Sequence, residues 1–97
     1  MKIFKDRDHK QEVSELDLGI VKAGDSKKYL FFLYNDTKAN LVDVVVAINH
    51  KEVKIVESPK IIDAEKSGEL VIEWKPSITL KEGLKTQLEI NATELWS

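Results

Sequence analysis

The chain reads as all-β, an antiparallel β-sandwich of six to seven strands, on three observations. Apolar residues recur mainly at every second position, the period of a strand rather than of a helix. Clusters of Gly, Asn, Asp, Ser and Pro interrupt these runs at short intervals, as turns do. A length of 97 residues with 42% hydrophobic and 33% charged side chains fits one ordinary globular domain with little core to spare.

The elements follow in order. "MKIFKDRDHKQE" has two adjacent apolar residues and then mixed charge, so residues 1–12 are expected to be a mobile segment or an extra edge strand ahead of a sandwich spanning 13–97. In "SELDLGIV", Leu16, Leu18 and Ile20 alternate with Glu15, Asp17 and Gly19, and "KAGDS" then turns the chain. "KYLFFLYN" reads as a central strand closed by "NDTKAN". "LVDVVVAIN" is β-branched, and Asp43 sets its expected phase: Val42, Val44, Val46 and Ile48 inward, Leu41, Asp43, Val45 and Ala47 outward.

After the turn "NHKE", the strand "VKIVESP" points Val53 and Ile55 inward, and Pro59 marks an edge or an end because it cannot donate to a ladder. "IIDAEKSG" connects to "ELVIEWKP", which alternates most cleanly: Leu70, Ile72 and Trp74 inward, Glu69, Glu73 and Lys75 outward, Pro76 as the stop. "LKTQLEINATELW" carries two patterns. Thr86, Leu88, Ile90 and Ala92 alternate with polar neighbours as a strand would, while Leu84, Leu88 and Leu95 also fit helical spacing; the strand is the reading adopted.

Composition narrows the function. Fifteen basic against seventeen acidic residues, with no basic block, argue against nucleic-acid binding, which needs Lys and Arg clustered toward phosphates. Without cysteine there is no disulfide, thiolate nucleophile or Cys-based zinc site, which suits a reducing compartment. The opening residues lack the apolar stretch of ~7–15 residues that export requires, and no segment approaches the ~18 apolar residues of a membrane span. Synthesis and folding in a cytoplasm, without membrane contact, are the expectation.

Reaction chemistry is thin. Asp6, Asp8, His9 and Glu12 are metal-capable side chains close in sequence, but a charged surface segment explains them better than a structural zinc site, which draws on four placed ligands. His50 has no nucleophile nearby in sequence, and only two histidines are present. No catalytic, cofactor or metal residue is assigned, no enzyme activity is expected, and no small-molecule substrate is implied. Asn35-Asp36-Thr37 and Asn91-Ala92-Thr93 match the glycosylation pattern and are read as turn and strand residues.

The ordered set "LDLGIVKAGDS", "YLFFLYNDT", "LVDVVVAI", "IIDAEKSGELVIEWKP" and "EGLKTQLEIN", from about Leu16 to Ala92, resembles the immunoglobulin-like family that includes major sperm protein and the ASH domains. The resemblance implies a seven-stranded immunoglobulin-like sandwich used for binding or assembly. Two departures stand out. Asp63-Ala64-Glu65-Lys66-Ser67-Gly68 lacks the family's Pro-Gly, and only "ATELWS" remains where a further strand is expected. Either the tail is that strand in short form, or the sheet is one strand short.

The family register places Tyr29, Phe31 and Leu33 in the core and turns Leu30, Phe32 and Tyr34 outward. Burying such side chains is worth ~1.5–3 kcal/mol each, so leaving three in water forfeits a sum comparable with a small domain's stability. Two coverings are open: the chain's own "KIFK" or "ELW", or a partner. Leu30, Phe32, Tyr34, Val45 and Trp96 are therefore the candidate protein-interface residues, with an unfilled sheet edge as a second docking element. The expected function is a non-catalytic protein–protein interaction and assembly module that self-assembles or joins a larger structure. Its fold and size are similar to those of immunoglobulin-like decoration, neck or tail proteins of the bacteriophage virion. The alternative is a soluble adaptor or chaperone-like domain that binds a partner's peptide strand.

Overall fold

Strands account for every regular element of the computed structural model, which describes residues 1–96. They are β1 (Lys2–Phe4), β2 (Glu12–Val13), β3 (Leu16–Gly19), β4 (Lys27–Tyr34), β5 (Asn40–Ile48), β6 (Val53–Glu57), β7 (Ser67–Trp74), β8 (Leu84–Thr86) and β9 (Leu88–Leu95). Five form one antiparallel sheet in the order β2-β1-β4-β7-β6, and the others pair as β3-β8 and β5-β9. The fold is thus the all-β antiparallel one expected, compatible with a sandwich. It has more strand segments than six or seven, because residues 2–13 supply two and the last ribbon changes partner at Gln87. No helix among the described residues is long and apolar enough to cross a membrane.

The alternation in "ELVIEWKP" translates directly into packing. Leu70, Ile72 and Trp74 are fully buried, facing a cluster with Leu16, Leu18, Phe31, Leu33, Leu41, Val44, Val53 and Ile62. β7 pairs with β4 along its whole length, Lys27 opposite Trp74 through Tyr34 opposite Ser67. Tyr29 joins the two layers, its hydroxyl donating to the Leu18 carbonyl at 2.6 Å. Burial, with the Asp17 carboxylate nearby, holds that phenol protonated to higher pH than usual.

Two expected phases are corrected. In "LVDVVVAIN", Asp43 does not fix the alternation but breaks it. It adopts a left-handed φ of 51°, and β5 gains an extra residue between Val42 and Val45 relative to β9. Because side chains alternate with period two, that insertion reverses the faces ahead of the bulge: Leu41 is buried and Val42 only half-buried, while beyond it Val44, Val46 and Ile48 face the core and Val45 and Ala47 are exposed, as expected. Gly19 does the same to "SELDLGIV". Its φ of 67° and a register shift against β8 leave Ile20 exposed and turn Val21 into the core. Glycine tolerates that conformation without steric cost.

The corner between β4 and β5 is built on Asn35, which is fully buried. Its Nδ2 lies 2.8, 3.0 and 3.2 Å from the carbonyl oxygens of Ala39, Ile62 and Asp63. Its Oδ1 accepts from the Thr37 N–H and hydroxyl. Every polar atom of the side chain is engaged, so this Asn-Asp-Thr triplet is structural.

Candidate interaction surface

The outward side of β4 is covered by the chain itself. β1 pairs with the end of β4, placing Phe4 opposite Phe32, and the following loop returns across the face. Arg7 lies over the Phe32 ring at 5.2 Å and its guanidinium reaches Glu69 at 2.9 Å. The His9 ring sits 5.0 Å from Phe4 and 4.5 Å from Tyr34. Phe4 and Phe32 are both buried yet lie outside the main cluster, forming a second, smaller core on the far side of the sheet.

Local bonds hold this loop in shape. The Asp6 carboxylate accepts from the backbone N–H groups of Gln11 and Lys10, and Lys5 N–H donates to the Gln11 carbonyl at 3.0 Å. Those donors, Gln11 foremost, keep the Asp6 carboxyl below the usual carboxylate range. The Met1 ammonium, 3.3 Å from Asp36, lowers that carboxyl in the same way. Asp6 and His9, named above as metal-capable, are thus bound into the loop. Among the described residues no three His, Asp or Glu side chains come together as a metal site. His50 closes its own turn, its Nδ1 accepting from Glu52 N–H at 3.2 Å.

This geometry corrects part of the expected interface. Phe32 is 5% exposed and Tyr34 is half-buried, so neither is free to dock. Leu30 is 45% exposed, because β1 ends opposite Phe32 and stops short of it. It lies across from Val71, between the Lys28–Glu73 and Phe32–Glu69 pairs of the same ladder. Leu41, expected to add to the exterior, is core.

Val45 and Trp96 stand differently: they are 59% and 63% exposed, and both belong to the β5–β9 ribbon or its end. Leu95, which sequence reasoning did not single out for the interface, is 56% exposed next to Trp96. Leu88 and Ile90 pack against the core, but Asn91 to Leu95 are all exposed, including Ala92, which continues the inward phase. The structure therefore does not bring Leu30 and Tyr34 together with Val45 and Trp96 in one sheet; they lie on different layers.

The two edges of the ribbon are also unlike. The β5 edge away from β9 is occupied: Leu41 and Ile62 exchange N–H···O bonds at 2.9 and 2.8 Å, and Val44 N–H donates to Lys60 at 3.0 Å. The β9 edge away from β5 pairs with no strand among the described residues. Its orientation follows from alternation. Leu41 and Val44 turn their N–H away from β9, so Asn40, Val42 and Val45 turn theirs toward it, and their partners Leu95, Thr93 and Asn91 face β5. Leu88, Ile90, Ala92 and Glu94 then direct N–H and C=O groups to the open side.

No family model, no curated protein and no solved structure matches the chain. The functional reading therefore stands on its own geometry.

Proposed function

We propose that this protein is a non-catalytic assembly module that joins a protein partner by strand addition to the open edge of β9, with Val45, Leu95 and Trp96 flanking the contact. One observation carries the reading: an eight-residue strand whose outer N–H and C=O groups have no strand partner among the described residues, and whose last five residues are covered on neither face. Edge strands of this kind template pairing with another chain, and soluble proteins normally blunt them. The two edges of the five-stranded sheet are blunted. β6 carries Lys54, a register shift beside Val56 and Pro59 beyond its end, and β2 is two residues long. β9 has no Pro, no Lys and no bulge of its own.

The narrower setting we propose is a structural part of a bacteriophage virion, resting on the sequence resemblance to immunoglobulin-like domains set out above and on the size of the chain. An adaptor that captures an extended peptide would use the same edge. Photo-crosslinking in the cells that make the protein tests the shared claim. A benzophenone side chain at position 45, 95 or 96 is expected to give adducts, and one at exposed Ile78 none. Adducts at 78 alone, or at no position, would remove β9 as the docking edge.

A further inference from the structure

We infer that the occupant of the β9 edge is a second copy of this chain, paired β9 to β9 in antiparallel register about a two-fold axis at Ala92. The inference rests on the strand-addition reading above and names the partner. β8 is already engaged by β3, so the stretch open to a partner begins at Leu88; β9 runs to Leu95 with exposed Trp96 after it, and a centre at Ala92 brings each Trp96 opposite Leu88 of the other copy. A two-fold axis perpendicular to the sheet pairs residues of equal parity, which keeps each strand's faces in phase with the other's.

In the Ala92-centred register the outward-directed residues meet one another. Ala92 faces Ala92, Ile90 faces Glu94, and Leu88 faces Trp96 of the second copy. Between them Asn91 lies opposite Thr93 and Glu89 opposite Leu95. No like charges are opposed, because Glu89 and Glu94 differ in parity, and the smallest side chain of the strand lies on the axis. Each end gains an aromatic–aliphatic pair that covers Trp96, which the isolated chain leaves 63% exposed. The product is one continuous sheet, β5-β9-β9-β5, with no open edge on β9.

The test uses sedimentation velocity across a concentration series together with a single-cysteine variant, informative because the native chain has no cysteine. Wild type is expected at twice the chain mass at high concentration, dissociating on dilution. Ala92→Lys, at an exposed position, is expected at once the chain mass with an unchanged circular-dichroism spectrum. Ala92→Cys is expected to form a disulfide-linked dimer under mild oxidation, since directly opposed residues lie about 5.5 Å apart, within disulfide reach; Ile78→Cys is not.

A chain monomeric at every soluble concentration, a dimer indifferent to Ala92→Lys, or no bridging by Ala92→Cys would overturn the inference. If the monomer nevertheless gives photo-adducts from position 96 to a different protein, the second copy is excluded while strand addition stands. If no adduct forms from the β9 ribbon, both fall.

Discussion

Strands β4 and β9 are of equal length and meet opposite fates. β4 is apolar on both sides and both are sheltered, one by the sandwich core and the other by Phe4, Arg7 and His9 of the N-terminal loop. β9 is sheltered only over its first residues, and its far edge meets no strand among those described. Hydrophobicity alone would have reversed the ranking, since β4 looks the more exposed problem in sequence. What separates them is the supply of cover: the N-terminal segment lies across β4, and no strand among the described residues lies along the outer edge of β9. The consequence is a molecule closed on its aromatic side and open on its terminal ribbon.

The sharpest way to break this contrast is to charge the closed side. Phe32→Glu is expected to unfold the protein, and Phe32→Ala to cost about 3 kcal/mol in chemical denaturation, as large-to-small changes at buried aromatics do. A folded, soluble Phe32→Glu variant would mean the N-terminal loop does not seal that face. Next in size is the corner that lets β4 hand the chain to β5. Asn35→Ala takes one donor from each of the carbonyls of Ala39, Ile62 and Asp63 and the acceptor from Thr37, and is expected to cost about 1–3 kcal/mol by the same measurement.

A smaller effect should appear in acid. Asp6 and Asp36 have lowered folded-state pKa values, from the N–H donors of Gln11 and Lys10 and from the Met1 ammonium. A carboxyl depressed on folding contributes stability above its unfolded pKa and loses it as pH falls through the folded one. The N-terminal loop should therefore loosen below about pH 4, ahead of the main core. Amide resonances of Ile3 to Gln11 would shift before those of Leu70 to Trp74. Smallest of all are the open-side changes: Val45→Ser and Trp96→Ala are expected to stay within about 0.5 kcal/mol of wild type, as exposed sites do. A large loss at Trp96 would show that it packs on its own chain.

The parts legible in sequence were those governed by local periodicity. β7 kept an unbroken alternation and its inward set was correct residue for residue. The terminal segment, where strand and helix spacing competed, resolved to strand because β5 supplies a long antiparallel partner. Phase failed on one side of each residue in a left-handed conformation: ahead of Asp43, where Leu41 rather than Val42 is buried, and beyond Gly19, where Val21 replaces Ile20; beyond Asp43 the inward set Val44, Val46 and Ile48 is as expected.

The candidate surface was legible in part for a different reason. Val45 and Trp96 were recognised as apolar residues with little to cover them. Phe32 and Tyr34 were misplaced because their cover comes from about thirty residues upstream, through a ring stack and a guanidinium that no local pattern reveals. Charge in "KDRDH" concealed the fact that Arg7 and His9 present flat, apolar faces to aromatic rings.

Residue-resolved amide hydrogen exchange on the dilute monomer tests the openness of β9 most directly. The amides of Leu88, Ile90, Ala92 and Glu94 should exchange rapidly, alternating with slower Glu89, Asn91, Thr93 and Leu95, while β4 from Phe31 to Tyr34 is protected throughout. Uniform protection along β9, or alternation of the opposite parity, would contradict an open outer edge.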